Sequence, residues 1–142
     1  MRFVTVLLGI GLSAFAVSGC GGTSKAVSPG GKNVVRIVER DFQITLPGHV
    51  SAGHATFAVD NEGPDQHELI VVRLSGKPLP MRGDGITIDE EKLGSAEIGS
   101  LEPGPSGSER ELGLDLKPGR YRVFCNMYGH YMSGMSADFV AE

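Results

Sequence analysis

From Asn33 to the C-terminus the apolar residues recur every second position or in short unbroken runs, punctuated by Gly, Pro, Asn and Asp. Period two is the signature of strands with one buried face, so the pattern predicts an all-β domain. Strands are expected over 34–38, 42–46, 55–60, 69–72, 112–116, 121–124 and 136–140. The clearest alternation is Leu112, Leu114 and Leu116, which one strand face would carry together. Leu69-Ile70-Val71-Val72 does not alternate, and a β-branched run of that kind predicts a strand covered on both sides. Residues 75–108 break the rhythm with many Gly and Pro and the cluster Asp89-Glu90-Glu91-Lys92-Leu93. Acids placed ahead of an apolar residue suit the first turn of a short helix, at the positive end of its dipole. A long connection is therefore expected there, with one helical turn and a short edge strand near 96–101. Its role, covering a site or meeting a partner, is left open by the sequence.

Seven or eight short strands in about 110 residues predict a Greek-key β-sandwich or barrel. Leu116-Lys117-Pro118-Gly119-Arg120-Tyr121 has the form of a tyrosine corner, in which a Tyr hydroxyl bonds back to the turn before its strand. No internal repeat is present.

The N-terminus is of another kind. Arg2 precedes an almost unbroken apolar stretch, 3–17, that ends in small residues. This is the pattern of a secretory signal peptide, expected over 1–19, and it is too short for a comfortable membrane span. Val17-Ser18-Gly19-Cys20 resembles the bacterial lipobox, which implies lipid modification of Cys20 and anchoring to the extracytoplasmic face of a bacterial membrane. Residues 20–32, small and Gly-rich after Cys20, read as a flexible tether, leaving 33–142 as the folded domain. Removing 19 of the 142 residues leaves 123 and takes away Arg2, so the formal charge moves from −4 to −5. An acidic chain without clustered Lys and Arg argues against a nucleic-acid surface.

With Cys20 assigned to an anchor, Cys125 is the one thiol of the domain, so a disulfide framework is excluded. The candidate chemistry lies in Cys125-Asn126-Met127-Tyr128-Gly129-His130-Tyr131-Met132-Ser133-Gly134-Met135. It sets a thiolate, an imidazole and a thioether at Cys-x4-His-x4-Met between the last two expected strands. His67, at the mouth of the buried 69–72 strand, is the candidate second imidazole. Two His and one Cys with a weak Met are the donor composition of a mononuclear blue-copper electron-transfer site. Zinc competes on affinity, but structural zinc sites use Cys and His in spacings absent here. Four His in all cannot supply a further copper cluster, and no activated nucleophile appears, so the chain reads as a non-enzyme. His49 and His54 flank a turn and read as solvated residues.

On these residues the chain resembles the cupredoxins, and its loop spacing is similar to that of auracyanin, rusticyanin and sulfocyanin. The resemblance runs over 33–142 and includes Asp41-Phe42, Asn61-Glu62-Gly63 and His67-Glu68-Leu69. It implies His67, Cys125 and His130 as equatorial ligands and Met135 as axial ligand of one copper ion cycling between Cu(I) and Cu(II). Two positions depart from the pattern. Tyr128 stands where the loop commonly has Pro, and Glu68 where Asn often follows the first His. Glu68 and Asn126 are the expected outer groups tuning the site. The implied function is single-electron transfer by a monomeric, lipid-anchored protein. Redox partners would dock transiently near His130, on a patch formed with Met127, Tyr128, Tyr131 and Met132. The alternative is a lipoprotein that captures, buffers or delivers copper through the same ligands.

Overall fold

The computed structural model describes residues 33–142; the expected signal peptide, Cys20 and the tether lie outside the described residues. Among the described residues, nine strands form: β1 (Asn33–Arg40), β2 (Gln43–Thr45), β3 (His49–Val50), β4 (Gly53–Asn61), β5 (His67–Arg73), β6 (Glu97–Gly104), β7 (Glu109–Leu116), β8 (Gly119–Phe124) and β9 (Ser136–Ala141). They make two sheets, ordered β2-β1-β4-β7 and β3-β9-β8-β5-β6. β1 pairs with β4 and β3 with β9 in parallel; the remaining ladders are antiparallel. The architecture is the expected β-sandwich.

The differences from the expected elements have local causes. Phe42 adopts φ 59°, outside the strand region, so the expected 42–46 strand shortens to β2 and Phe42 joins the turn. β3 is a two-residue strand that exists through its ladder with β9. The expected edge strand near 96–101 extends to Gly104. The helical turn is a pair of 3-10 turns, Glu90–Lys92 and Gly94–Ala96, separated by Leu93. Lys92 Nζ meets Asp89 Oδ2 at 2.6 Å across the first of them.

Inward-facing residues of both sheets make the main core, with Val35, Ile37, Phe57, Val59, Leu69, Val71, Leu114, Leu116, Val123 and Phe139 all buried. Phe139 holds its centre, edge-on to Phe57 and stacked on Tyr121 at 5.1 Å. Tyr121 closes the expected tyrosine corner, its hydroxyl donating to Lys117 O at 2.7 Å. A second, smaller core explains the non-alternating run in β5. Ile70 and Val72 point out of the sandwich and are covered by Ile88 and Leu93 of the long connection, with Phe124 beside them. Fully burying one such side chain stabilises the fold by about 1.5–3 kcal/mol. The connection thus serves as an outer layer on the five-stranded sheet.

Strand direction places the chemistry. β1 and β4 end, β5 begins, and β8 ends at one edge of the sandwich, as the pairs Glu39↔Asn61 and Ile70↔Phe124 require. β1 starts at the opposite edge, its Asn33 paired with Ala55. At ~3.3 Å per residue, eight residues separate the two edges by roughly 23 Å.

Candidate metal centre

The four candidate donors come from that one edge. His67 opens β5, Cys125 follows the last residue of β8, Met135 precedes β9, and His130 lies in the loop between the last two. The loop is folded by its own backbone. His130 N–H donates to Met127 O (2.9 Å), Met135 N–H to His130 O (3.0 Å), Ser133 N–H to Gly129 O (3.0 Å) and Cys125 N–H to Met135 O (3.1 Å). These bonds order the loop without a proline at Tyr128, whose side chain is exposed.

His67 Nδ1 lies 3.3 Å from His130 Nδ1, and Cys125 Sγ lies 3.4 Å from His130 Nδ1. One donor atom from each of the three residues falls within 4.8 Å of the others. His67 and Cys125 are fully buried and His130 is half-buried. Met135 is also fully buried, in the core beneath the loop, and its backbone is bonded to both Cys125 and His130. Sequence positions 67, 125 and 130 are therefore brought to one point, and 135 is tied to two of them through its backbone.

The surrounding residues hold that convergence. Asn61, 1 % exposed, donates from Nδ2 to Asp65 O (2.8 Å) and Gly104 O (3.0 Å) and accepts from Gly63 N–H (3.0 Å). It thereby shapes the 61–67 loop that delivers His67. The β5–β6 register shifts between His67 and Leu69, a bulge of the kind that re-aims a side chain beside a site. Glu68, at that bulge, accepts the Asn126 backbone N–H at 2.9 Å. The carboxylate thus joins the two donor-bearing segments. Asn126 in turn accepts from Ile88 N–H (2.6 Å) and donates to Ile88 O (3.0 Å) and Glu90 Oε1 (2.6 Å), fastening the outer layer to the same place. Both expected outer groups are at the site, acting as braces.

Burial sets the electrostatics. It pushes the Cys125 thiol up to about 11, and it lowers the His67 imidazole against a smaller opposing effect from Asp41. Burial also raises Glu68, helped by the neighbouring Glu90 carboxylate. Glu39, fully buried at the end of β1, is raised to about 7 by burial although Arg110 pairs with it. His67 Nε2 lies 3.1 Å from Asp41 Oδ1, so the imidazole proton belongs on Nε2 and the Nδ1 lone pair faces Cys125 and His130. Two imidazole Nδ1 atoms and the Cys125 sulfur turned to one point are a soft donor set once the thiol gives up its proton. It suits copper better than the harder ions that prefer oxygen.

His49 and His54 stand apart, exposed and paired with Glu142 (2.7 Å) and Asp115 (3.0 Å). Of the expected surface patch, Tyr128 and Met132 are exposed. Met127 instead packs on the main core, and Tyr131 on the outer one, where it is edge-on to Phe124. Three site residues were not expected from the sequence as site residues: Asp41 behind His67, Phe42 beside His130, and Gly63 against both Asp41 and His67. Their contacts span up to 88 residues of sequence, and no local spacing announces them.

No protein-family model and no curated protein sequence matches the chain. Solved structures do. Auracyanin A, described as a "blue" copper protein from the green thermophilic photosynthetic bacterium Chloroflexus aurantiacus, superposes with a TM-score of 0.58 at 19% identity, over 79% of this chain and 100% of that one. Auracyanin from Roseiflexus castenholzii, reduced with dithionite, gives 0.57 at 16%, covering 80% of this chain and 99% of that one. Rusticyanin from Thiobacillus ferrooxidans gives 0.51 at 14%, covering 79% of each. All three are cupredoxins, and the described domain has the cupredoxin fold.

Proposed function

We propose, starting from the cupredoxin fold and its donor set, that the chain binds one copper ion and carries single electrons between redox partners. His67, Cys125 and His130 would hold the ion, with Met135 offering a weaker thioether donor. The observation that carries this reading is the meeting of His67 Nδ1, His130 Nδ1 and Cys125 Sγ at one edge of a rigid sandwich. Bound there, copper supplies a one-electron couple between Cu(I) and Cu(II).

The protein's part is positioning and exclusion. His67, Cys125 and Met135 are fully buried, so water and exchanging ligands are kept from three of the four donors. That burial favours electron transfer over copper capture or delivery, which require ligand exchange. Bonds within the 125–135 loop and the Glu68–Asn126 brace fix the donors against movement as charge changes. His130 is the half-buried donor, and its edge is the route outward. Exposed Tyr128, Met132 and Phe42 give a small apolar surface there, as Phe42 packs edge-on to His130 at 5.6 Å. Small interfaces suit partners that dock and release quickly.

The lipobox-like 17–20 segment supports anchoring through lipidated Cys20 outside the cytoplasm. No helix among the described residues is long and apolar enough to cross a membrane. β1 starts roughly 23 Å from the donor edge, so the tether would enter far from the site and leave it facing partners. Cyclic voltammetry of the copper-loaded, lipid-free mature chain tests the reading. A reversible one-electron wave with copper retained over many cycles is expected. Loss of copper to a Cu(I) chelator on the first reduction would instead support delivery.

A further inference from the structure

We propose that the two-residue turn Asp41-Phe42 is a positioning device for both imidazoles of the site, Asp41 acting on His67 and Phe42 on His130. This goes beyond the four-donor reading and rests on it only for the redox consequence. The turn joins β1 to β2 directly, with Arg40 paired to Gln43. Two-residue hairpin loops favour Asp-Gly or Asn-Gly because a central residue takes positive φ. Here Phe42 occupies that conformation at φ 59°, alone among the described non-glycine residues. A bulky side chain there is a backbone outlier, and burial does not account for it, since Phe42 is 51% exposed. Its ring instead meets the His130 ring edge-on, with centroids 5.6 Å apart at 78°.

The residue before it reaches the other imidazole. Asp41 Oδ1 accepts from His67 Nε2–H at 3.1 Å. The approach depends on Gly63. A Cβ there would lie 2.9 Å from Asp41 Oδ1, 3.0 Å from His67 Nε2 and 3.2 Å from Arg40 Cα. Gly63 has no freedom to retreat, because its N–H donates to Asn61 Oδ1 and its carbonyl accepts from Ser106 Oγ at 2.6 Å. A side chain at 63 would therefore wedge the carboxylate off the imidazole.

A carboxylate behind a metal-binding imidazole does two separable things. It fixes the ring and its tautomer, which a neutral acceptor also does, and it adds negative charge that favours the more highly charged metal state. Asp41→Asn keeps the acceptor and removes the charge; Asp41→Ala removes both. Zinc affinity, read by competition with a chelator, should fall 10–100-fold in Asp41→Ala. Asp41→Asn should weaken Cu(II) relative to Cu(I) by about tenfold, a rise in potential of about 59 mV for one electron. Gly63→Ala should follow Asp41→Ala, and Phe42→Gly should shift the His130 ring resonances while leaving those of His67 in place. In the metal-free protein, nitrogen-15 spectra should report the Nε2–H tautomer of His67 and its loss in Asp41→Ala. Because the zinc and tautomer measurements need no copper, this inference stands even where copper gives no blue site. Asp41→Asn at the wild-type potential, together with Asp41→Ala at wild-type zinc affinity and tautomer, would overturn it. Thermal melts of each variant separate these effects from unfolding.

Discussion

At the scale of single residues, the thiol decides how the site takes up metal. Cys125 is pushed up to about 11 by burial, whereas coordination requires the thiolate. Metal must therefore displace one proton from Cys125 throughout the neutral range. His67, lowered from its ordinary value, is neutral at pH 7 and above and adds no proton there. The contribution of Cys125 makes affinity rise about tenfold for each pH unit between 7 and 9, and the rise should flatten as pH approaches 11. Zinc titrations across that range check this; an affinity independent of pH would mean a thiolate already formed. The convergence of His67, Cys125 and His130 was legible in the sequence because Cys125 and His130 share one short segment and His67 marks a strand mouth. Asp41 and Gly63 were not legible as site residues. Their contact with His67 is set by how β1 and the 61–67 loop pack, which no spacing encodes.

At the scale of elements, the long connection is a layer fastened at Asn126. Its residues Ile88 and Leu93 cover the outer face of β5, and Asn126 makes three hydrogen bonds to Ile88 and Glu90. Asn126→Ala should cost about 1–3 kcal/mol through the buried groups left unpaired. Amide exchange should then speed up around 84–93 while β1, β4 and β7 keep their protection. Uniform loss of protection would show that the layer does not open separately. The covered face of β5 could be inferred from its unbroken apolar run, and the tyrosine corner from 116–121. What covers β5 could not, because 75–96 carries few apolar residues and no period. The strand edges also shifted, at Phe42 for a backbone reason and at β3 because a two-residue ladder leaves no pattern.

At the scale of the whole molecule, strand direction separates the donor edge from the start of β1, so a tethered domain would hold its site away from the anchor. The β-sandwich was foreseen from strand rhythm and its cupredoxin type from the resemblance carried by the 125–135 loop, and the two sheets and the solved neighbours bear both out. The expected leader and anchor, 1–20, lie outside the described residues. The proposed function turns on the bond between one copper ion and the Cys125 sulfur. The most direct measurement is the absorption and electron paramagnetic resonance spectrum of the Cu(II)-loaded mature chain, with Cys125→Ser beside it. An intense visible thiolate-to-copper charge-transfer band, abolished in Cys125→Ser while thermal stability is retained, is the expected result. A wild-type chain that binds one equivalent of Cu(II) and stays colourless would contradict it.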